Sequence, residues 1–391
     1  MTAIAEEISY AKEDRSVVSV SGIADLAGGH GYLRTAGYRG SAGDIPLTAA
    51  QVRRYGLRPG DEVRGTLSAG AAGPGAGTKD KGAKRAAALA TVEAVSGLHP
   101  DEARRRPRFD HLTPVYPSQR LRLEDGDPSP AARIIDLVAP VGKGQRGLIV
   151  APPKAGKTTV LKTIAHAVAA AHPEVHLMLI LVGERPEEVT DLRRSVGGEI
   201  IASTFDASPA DHVRAAELAI ERAKRLAEAG RDVVVMLDSL TRLGRAYNLA
   251  APAGGRTLSG GVAAAALEPP RRFLGAARCL EEGGSLTILS TALVETGSQL
   301  DSVLFEEFKG TGNMELRLRR DLAEKRLFPA VDAVPSGTRR DDLLMDPAEH
   351  AAVTALRRAL AALDSQHALE LLLDKTTAPN AQLLCQVTAS R

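Results

Sequence analysis

Between Arg146 and Ala171 the chain reads RGLIVAPPKAGKTTVLKTIAHAVAAA, and no other stretch restricts its fold as strongly. Gly147–Ala151 is an apolar run of strand length, and Thr158–Ala171 has helical periodicity. The turn between them, Ala151-Pro-Pro-Lys-Ala-Gly-Lys-Thr158, fits the GxxxxGK(S/T) phosphate loop, with Ala151 in the first glycine's place. Backbone N–H groups of such a loop, with the helix N-terminus, cradle phosphate oxygens. The candidate contacts are Lys154, Ala155, Gly156, Lys157, Thr158 and Thr159. Lys157 is placed to reach the β- and γ-phosphates, and the Thr158 hydroxyl to sit on Mg²⁺. The neighbouring runs Val175–Val182, Glu199–Thr204, Asp232–Asp238 and Ser285–Leu293 read as strands, with a helix at Pro209–Ala229. Continuous apolar strands separated by helices predict a parallel sheet covered on both faces, from about Arg146 to Asp346. Asp238 ends the run Val233–Leu237, where a metal-holding carboxylate belongs. Hydrolysis also needs a carboxylate to orient water. Glu184 is best placed, although spacing alone equally allows a helix-start charge before Pro186.

Upstream the texture changes. Val17–Val20, Gly31–Arg34, Asp61–Leu67 and Ala88–Val95 read as short strands, and Thr48–Leu57 as a helix capped by Thr48. Residues 17–96 therefore suit a small barrel such as an OB-fold. Ser68–Arg85, a Gly/Ala/Lys stretch, reads as a mobile hairpin loop, and residues 1–16 as a short leader. Residues 97–145, rich in Pro and Arg, read as an ordered connector to a domain spanning 146–391, with C-terminal helices at Pro347–Ser365 and Leu369–Leu373. With 50 basic and 48 acidic side chains, the chain is not a basic nucleic-acid coat. Its two cysteines, Cys279 and Cys385, exclude a disulfide scaffold. No apolar run is long enough to span a membrane, and no signal peptide is evident. Only 3% of residues are aromatic, with no Trp, so any ring-stacking site draws on few side chains.

RGLIVAPPKAGKT (Arg146–Thr158), GERPEEVTDLRRSV (Gly183–Val196), VVVMLDSLTRLGRAYN (Val233–Asn248), LSGGV (Leu258–Val262), FEEFKGTGNMEL (Phe305–Leu316) and AEKRLFPAVDAVPSGTRR (Ala323–Arg340) follow one another in the chain. Together they resemble the transcription termination factor Rho family, ring-shaped RNA-dependent ATPases, from about Val17 to the C-terminus. The resemblance implies an α/β RecA-like P-loop ATPase domain preceded by a small all-β, cold-shock-like OB-fold domain. It also implies a homohexamer with ATP sites between subunits. Such a ring binds ATP and Mg²⁺, moves 5′-to-3′ along nascent single-stranded RNA, and displaces RNA polymerase in the bacterial cytoplasm. It places Lys154, Lys157 and Thr158 on the phosphates, Asp238 on the metal, and Glu184 at the catalytic glutamate. Arg185 and Arg242 support the phosphates and their acidic partners. From the neighbouring subunit it brings Arg339 as arginine finger and Arg326 as a second arginine. Phe328 packs on adenine.

For RNA, the resemblance makes Gly254–Val262 a central-pore loop, with Arg256 and Ser259, Gly260 and Gly261 as contacts. Glu295–Asp301 is a second pore segment, carrying Gln299 where a lysine is usual, and Lys309 keeps its match. In the barrel, Gly29-His-Gly-Tyr-Leu-Arg34 looks like the family's GFGFLR. His30, Tyr32, Arg34, Asp44 and Arg54 line the primary RNA site. Pro46 and Ala86 stand where two tyrosines enclose a pyrimidine, so cytosine preference is expected to be weak. Gly183 replaces an Asp beside the catalytic Glu, and Ala263 an acid after the pore-loop glycines. The alternative from another class is a divergent paralogue that binds RNA and regulates a full-length ring, with weak termination of its own.

Overall fold

A computed structural model describes residues 18–27, 30–67, 88–252 and 254–389. The expected leader, the Ser68–Arg85 loop, Gly29 and Ala86 lie outside the described residues. The chain divides into two compact units, Met1–Arg105 and Arg106–Arg391. The boundary falls inside the stretch expected to be a connector.

The first unit holds β1 (Val18–Ala27), β2 (His30–Arg34), β3 (Ile45–Leu47), α1 (Ala49–Tyr55), β4 (Glu62–Leu67), β5 (Leu89–Val95) and the short α2 (Pro100–Ala103). Its strands form one antiparallel sheet in the order β3-β2-β1-β4-β5. Alternation sends Ala24, Leu33, Ile45, Leu47, Val63 and Val95 to one buried cluster. Thr48 caps α1 in a reciprocal capping box with Gln51, and Gly56 ends it in the left-handed region at φ 61°.

The second unit begins with β6 (Pro114–Val115), β7 (Arg120–Leu121), α3 (Pro130–Val138) and β8 (Val141–Gly142). Its central part runs β9 (Arg146–Ala151), α4 (Lys157–Ala171), β10 (His176–Glu184), α5 (Pro186–Ser195), β11 (Glu199–Thr204), α6 (Pro209–Glu228), β12 (Asp232–Asp238), α7 (Leu240–Ala250), α8 (Glu268–Gly275), β13 (Arg278–Leu280), β14 (Ser285–Leu293), α9 (Gln299–Lys309), β15 (Met314–Arg317) and α10 (Arg320–Glu324). It closes with β16 (Gly337–Thr338), α11 (Pro347–Ala361), α12 (Ser365–Lys375) and α13 (Asn380–Ala389). Strands β11-β10-β12-β14-β9-β15 are parallel neighbours, and β16 adds an antiparallel edge. The four strands read from apolar runs around β9 are all present, and β12 and β14 match residue for residue.

Two expectations change. Leu121, Leu123 and most of α3 belong to the core of the second unit, so residues 106–145 are part of that unit's body. Ser129 caps α3 and Pro130 occupies its first turn. The expected helix Pro347–Ser365 ends earlier, at Ala361, and the expected Leu369–Leu373 lies inside a longer helix, α12. The break comes because Asp364 accepts hydrogen bonds from the N–H groups of Gln366 and His367, starting α12 afresh. Among the described residues no helix is long and apolar enough to cross a membrane.

Candidate nucleotide and nucleic-acid sites

The carboxyl ends of three neighbouring elements converge beside the 152–156 loop. β10 delivers Glu184, β12 delivers Asp238, and the loop delivers Lys157 as the first residue of α4. Lys157 Nζ bonds Asp238 Oδ1 and lies 3.3 Å from Glu184 Oε1. Both carboxylates are nearly sealed from solvent, at 4% and 1% exposure, so one ammonium balances two buried negative charges. Burial works against the charge on Lys157, but Asp238 and Glu184 outweigh it and hold its pKa above the ordinary lysine value. Glu184 is shifted upward, first by burial and then by repulsion from Asp238, against the pull of Lys157 and Arg242.

Local backbone explains the convergence. Gly156, at φ 89°, takes the left-handed turn into α4, whose first N–H groups have no side-chain cap. Lys154 is exposed at φ 68°, Ala155 is buried, Thr158 is half-buried and Thr159 is exposed. The β10–β11 register slips between Val182 and Glu184, a bulge that re-aims Glu184. Gly183 sits there at φ 65°, and its carbonyl accepts Arg242 Nη1 at 2.5 Å. That backbone oxygen holds Arg242 in place. Arg242 Nε also lies 3.3 Å from Glu184. Thr291, on β14, donates to Asp238 Oδ1 at 2.7 Å. Sequence reasoning missed Thr291, although a fully buried threonine in an apolar strand is a signal in itself. Arg185 does not join the cluster. It is exposed and faces Glu188 at 3.8 Å.

Phe328, 45% exposed, lays its ring over Gly156, where a Cβ would come within 3.5 Å of it. Arg326 stands exposed two residues before it, at φ 63°. Through Phe328 that loop reaches the chain's own phosphate loop. Arg339 lies elsewhere. Its N–H donates to Asn313 O, and the Asn313 N–H donates to Arg146 O at the start of β9. The phosphate loop follows the far end of β9, so roughly 17 Å of strand separates the two. Arg339 and Lys309 line one cavity of about 360 Å³ with Asn313, Glu315 and Arg357.

The two segments expected to line a pore meet. Leu258 N–H bonds Val262 O, and Asn248 pins the loop through Gly261 O and the Ala263 N–H. Gly260, at φ 71°, packs so tightly on Gln299 and Leu300 that a Cβ would come within 3.0 Å. Arg256 and Ser259 are exposed. Lys309 is not with them: it ends α9, roughly 15 Å of helix beyond Gln299.

On the barrel, Tyr32 is 46% exposed, opposite Asp25 on β1 and Pro46 on β3. Arg34 lies behind it, its guanidinium 5.3 Å from the ring centre. Arg34 is itself buried, held by Asp25 at 2.5 Å and by Asp44. Arg34 thus links the Asp25 and Asp44 carboxylates to the Tyr32 ring. Arg54 is exposed over Tyr55, and His30 opens β2. Arg34→Ala removes the cation holding two buried carboxylates and should cost the barrel about 3 kcal/mol, read as a lower urea midpoint.

Comparisons with known proteins agree with this architecture. Residues 131–338 match the ATP synthase alpha/beta family, nucleotide-binding domain, and residues 20–101 match the Rho termination factor, RNA-binding domain. A Streptomyces lividans protein named transcription termination factor Rho is 56% identical over 377 residues, covering 96% of this chain and 52% of that protein. A Mycobacterium tuberculosis namesake is 55% identical, with 62% of it covered, so the chain spans little more than half the length of these relatives. The Streptosporangium roseum namesake is 57% identical over 96% of this chain and 94% of its own length. Among solved structures, a type III secretion system ATPase aligns at TM-score 0.55 and 25% identity, over 64% of this chain and 71% of its own. A two-unit chain with the RNA-binding domain and nucleotide fold of these relatives, matched along almost its whole length, belongs to the transcription termination factor Rho family.

Proposed function

We propose that the chain is an RNA-stimulated ATP hydrolase that translocates 5′-to-3′ along nascent RNA and terminates transcription by displacing RNA polymerase. The observation that carries the reading is Lys157 bridging buried Glu184 and Asp238 beside the uncapped start of α4. An arriving triphosphate gives Lys157 a competing set of oxygens. As it turns to them, Glu184 is released to accept a proton from the attacking water, while Arg242 keeps it in place. A hydroxyl (Thr158) and a carboxylate (Asp238) are hard oxygen donors suited to Mg²⁺, which when bound neutralises phosphate charge. Phe328 covers the base.

Roughly 17 Å of strand between Arg339 and the chain's own phosphate loop supports a site completed by a second copy, in a closed homohexamer. RNA threads past Arg256, Ser259, Gly260 and Gly261, and Tyr32 offers a ring for loading. The bacterial cytoplasm is the compartment that holds these partners. The decisive experiment measures ATP hydrolysis with and without RNA, followed by transcript release from a stalled elongation complex. Hydrolysis at full rate without RNA overturns the reading.

The raised pKa of Glu184 sets the acid limb of turnover. Activity needs the carboxylate ionised, so it is present above that pKa and lost as pH falls through it. The loss therefore begins at higher pH than for an ordinary exposed glutamate. Arg242→Gln removes a stabilising cation and moves the limb of the nucleotide-free protein further up, which a kcat/KM–pH profile reads.

A further inference from the structure

Arg339 is followed by a residue with an unusual setting. Arg340 adopts the left-handed region at φ 57°, a conformation rare for a non-glycine residue. Its guanidinium makes two bonds to the Asp342 carboxylate, at 3.0 and 3.1 Å, and lies 5.4 Å from the ring centre of Tyr116. Tyr116 itself is 66% exposed, so its ring does not serve the core. Its backbone, however, is firmly held. Val115 just before it pairs with Cys279 of β13, and Pro117 just after it packs against Gly142. The other side of the turn is tied down as well, because Thr338 Oγ1 donates to Pro140 O at 2.7 Å. The turn carrying Arg339 is thus fastened at Thr338 on one side and, through Arg340, on Tyr116 at the other.

We propose that Tyr116 is a positioning residue for the trans arginine: its ring holds Arg340, which fixes the left-handed turn and so the direction in which Arg339 leaves the subunit. The proposal rests on the reading of Arg339 given above. A side chain that must reach across a subunit boundary is sensitive to its launch angle. Small misplacements of a catalytic group are costly even when binding is untouched. The ring matters here as a π-face for a guanidinium, so phenylalanine can replace tyrosine and leucine cannot.

The test compares Tyr116→Ala, Tyr116→Leu and Tyr116→Phe in the full chain, under saturating RNA. The expected result is about a tenfold fall in kcat for Ala and Leu, with KM for ATP within twofold, and near-normal turnover for Phe. In an Arg339→Ala background, Tyr116→Ala should cause no further loss. Unchanged kcat in Tyr116→Ala, or equal losses in Phe and Ala, overturns the proposal. So does a loss that adds fully to Arg339→Ala. An Arg339→Ala single variant with undiminished turnover overturns the trans-arginine reading itself, and is told apart because it needs no change at Tyr116.

Discussion

Arg339→Ala should reduce RNA-stimulated ATP turnover by about 10³–10⁵-fold while leaving nucleotide affinity nearly unchanged. The size follows from what a guanidinium does at a transferring phosphoryl group: it meets charge that develops only in the transition state. The location makes the prediction unusual. Arg339 lies near Arg146, at the opposite end of β9 from the loop that holds the phosphates. That placement favours a second copy's site over its own. Mixing Arg339→Ala subunits with Lys157→Ala subunits should therefore restore part of the turnover, since each supplies the half that the other lacks. Mixed rings as inactive as either parent would refute the trans assignment.

Lys157→Ala is expected to abolish turnover, with a loss of at least about 10³-fold, and to destabilise the nucleotide-free protein by about 3 kcal/mol. The second effect arises because Glu184 and Asp238 are both buried and Lys157 is the cation they share most closely. Without it, burial and the charge of Asp238 push the Glu184 carboxyl up with less opposition. Acids with raised native pKa values contribute stability below their unfolded pKa and lose it as pH rises. The deficit of Lys157→Ala should therefore be largest at neutral pH and shrink on acidification. Adding Glu184→Gln should recover much of the stability and none of the activity. Urea midpoints and steady-state rates, measured on the same preparations, separate the two. A Lys157→Ala protein as stable as the parent at pH 7 would contradict the charge balance described.

The phosphate loop, the acid-terminated strand β12 and the alternating strands of the barrel were legible because each is a local pattern. Thr48 and its capping box were likewise readable from adjacent residues. What escaped depends on distant pairings. The three-residue β3 is too short for a periodicity and exists because it pairs with β2. The partners of Arg34 are not visible in sequence, since Asp25 closes on it from β1 and Asp44 from the residue before β3. Thr291 joins Asp238 only because β14 lies next to β12. The helix α3 was hidden inside a Pro/Arg-rich stretch, although Ser129-Pro130 announces its start.

The placement of Arg339 at the far end of β9 has a consequence for dosage. If Arg339 acts in trans as proposed, a solitary subunit holds a substrate pocket and a transition-state cation that do not meet. Specific activity should then fall steeply as the protein is diluted, with a reaction order in protein above one. Below the assembly threshold, each copy can still occupy itself with ATP without consuming it. Cellular abundance thereby acts as a gate on fuel use, independent of any regulator.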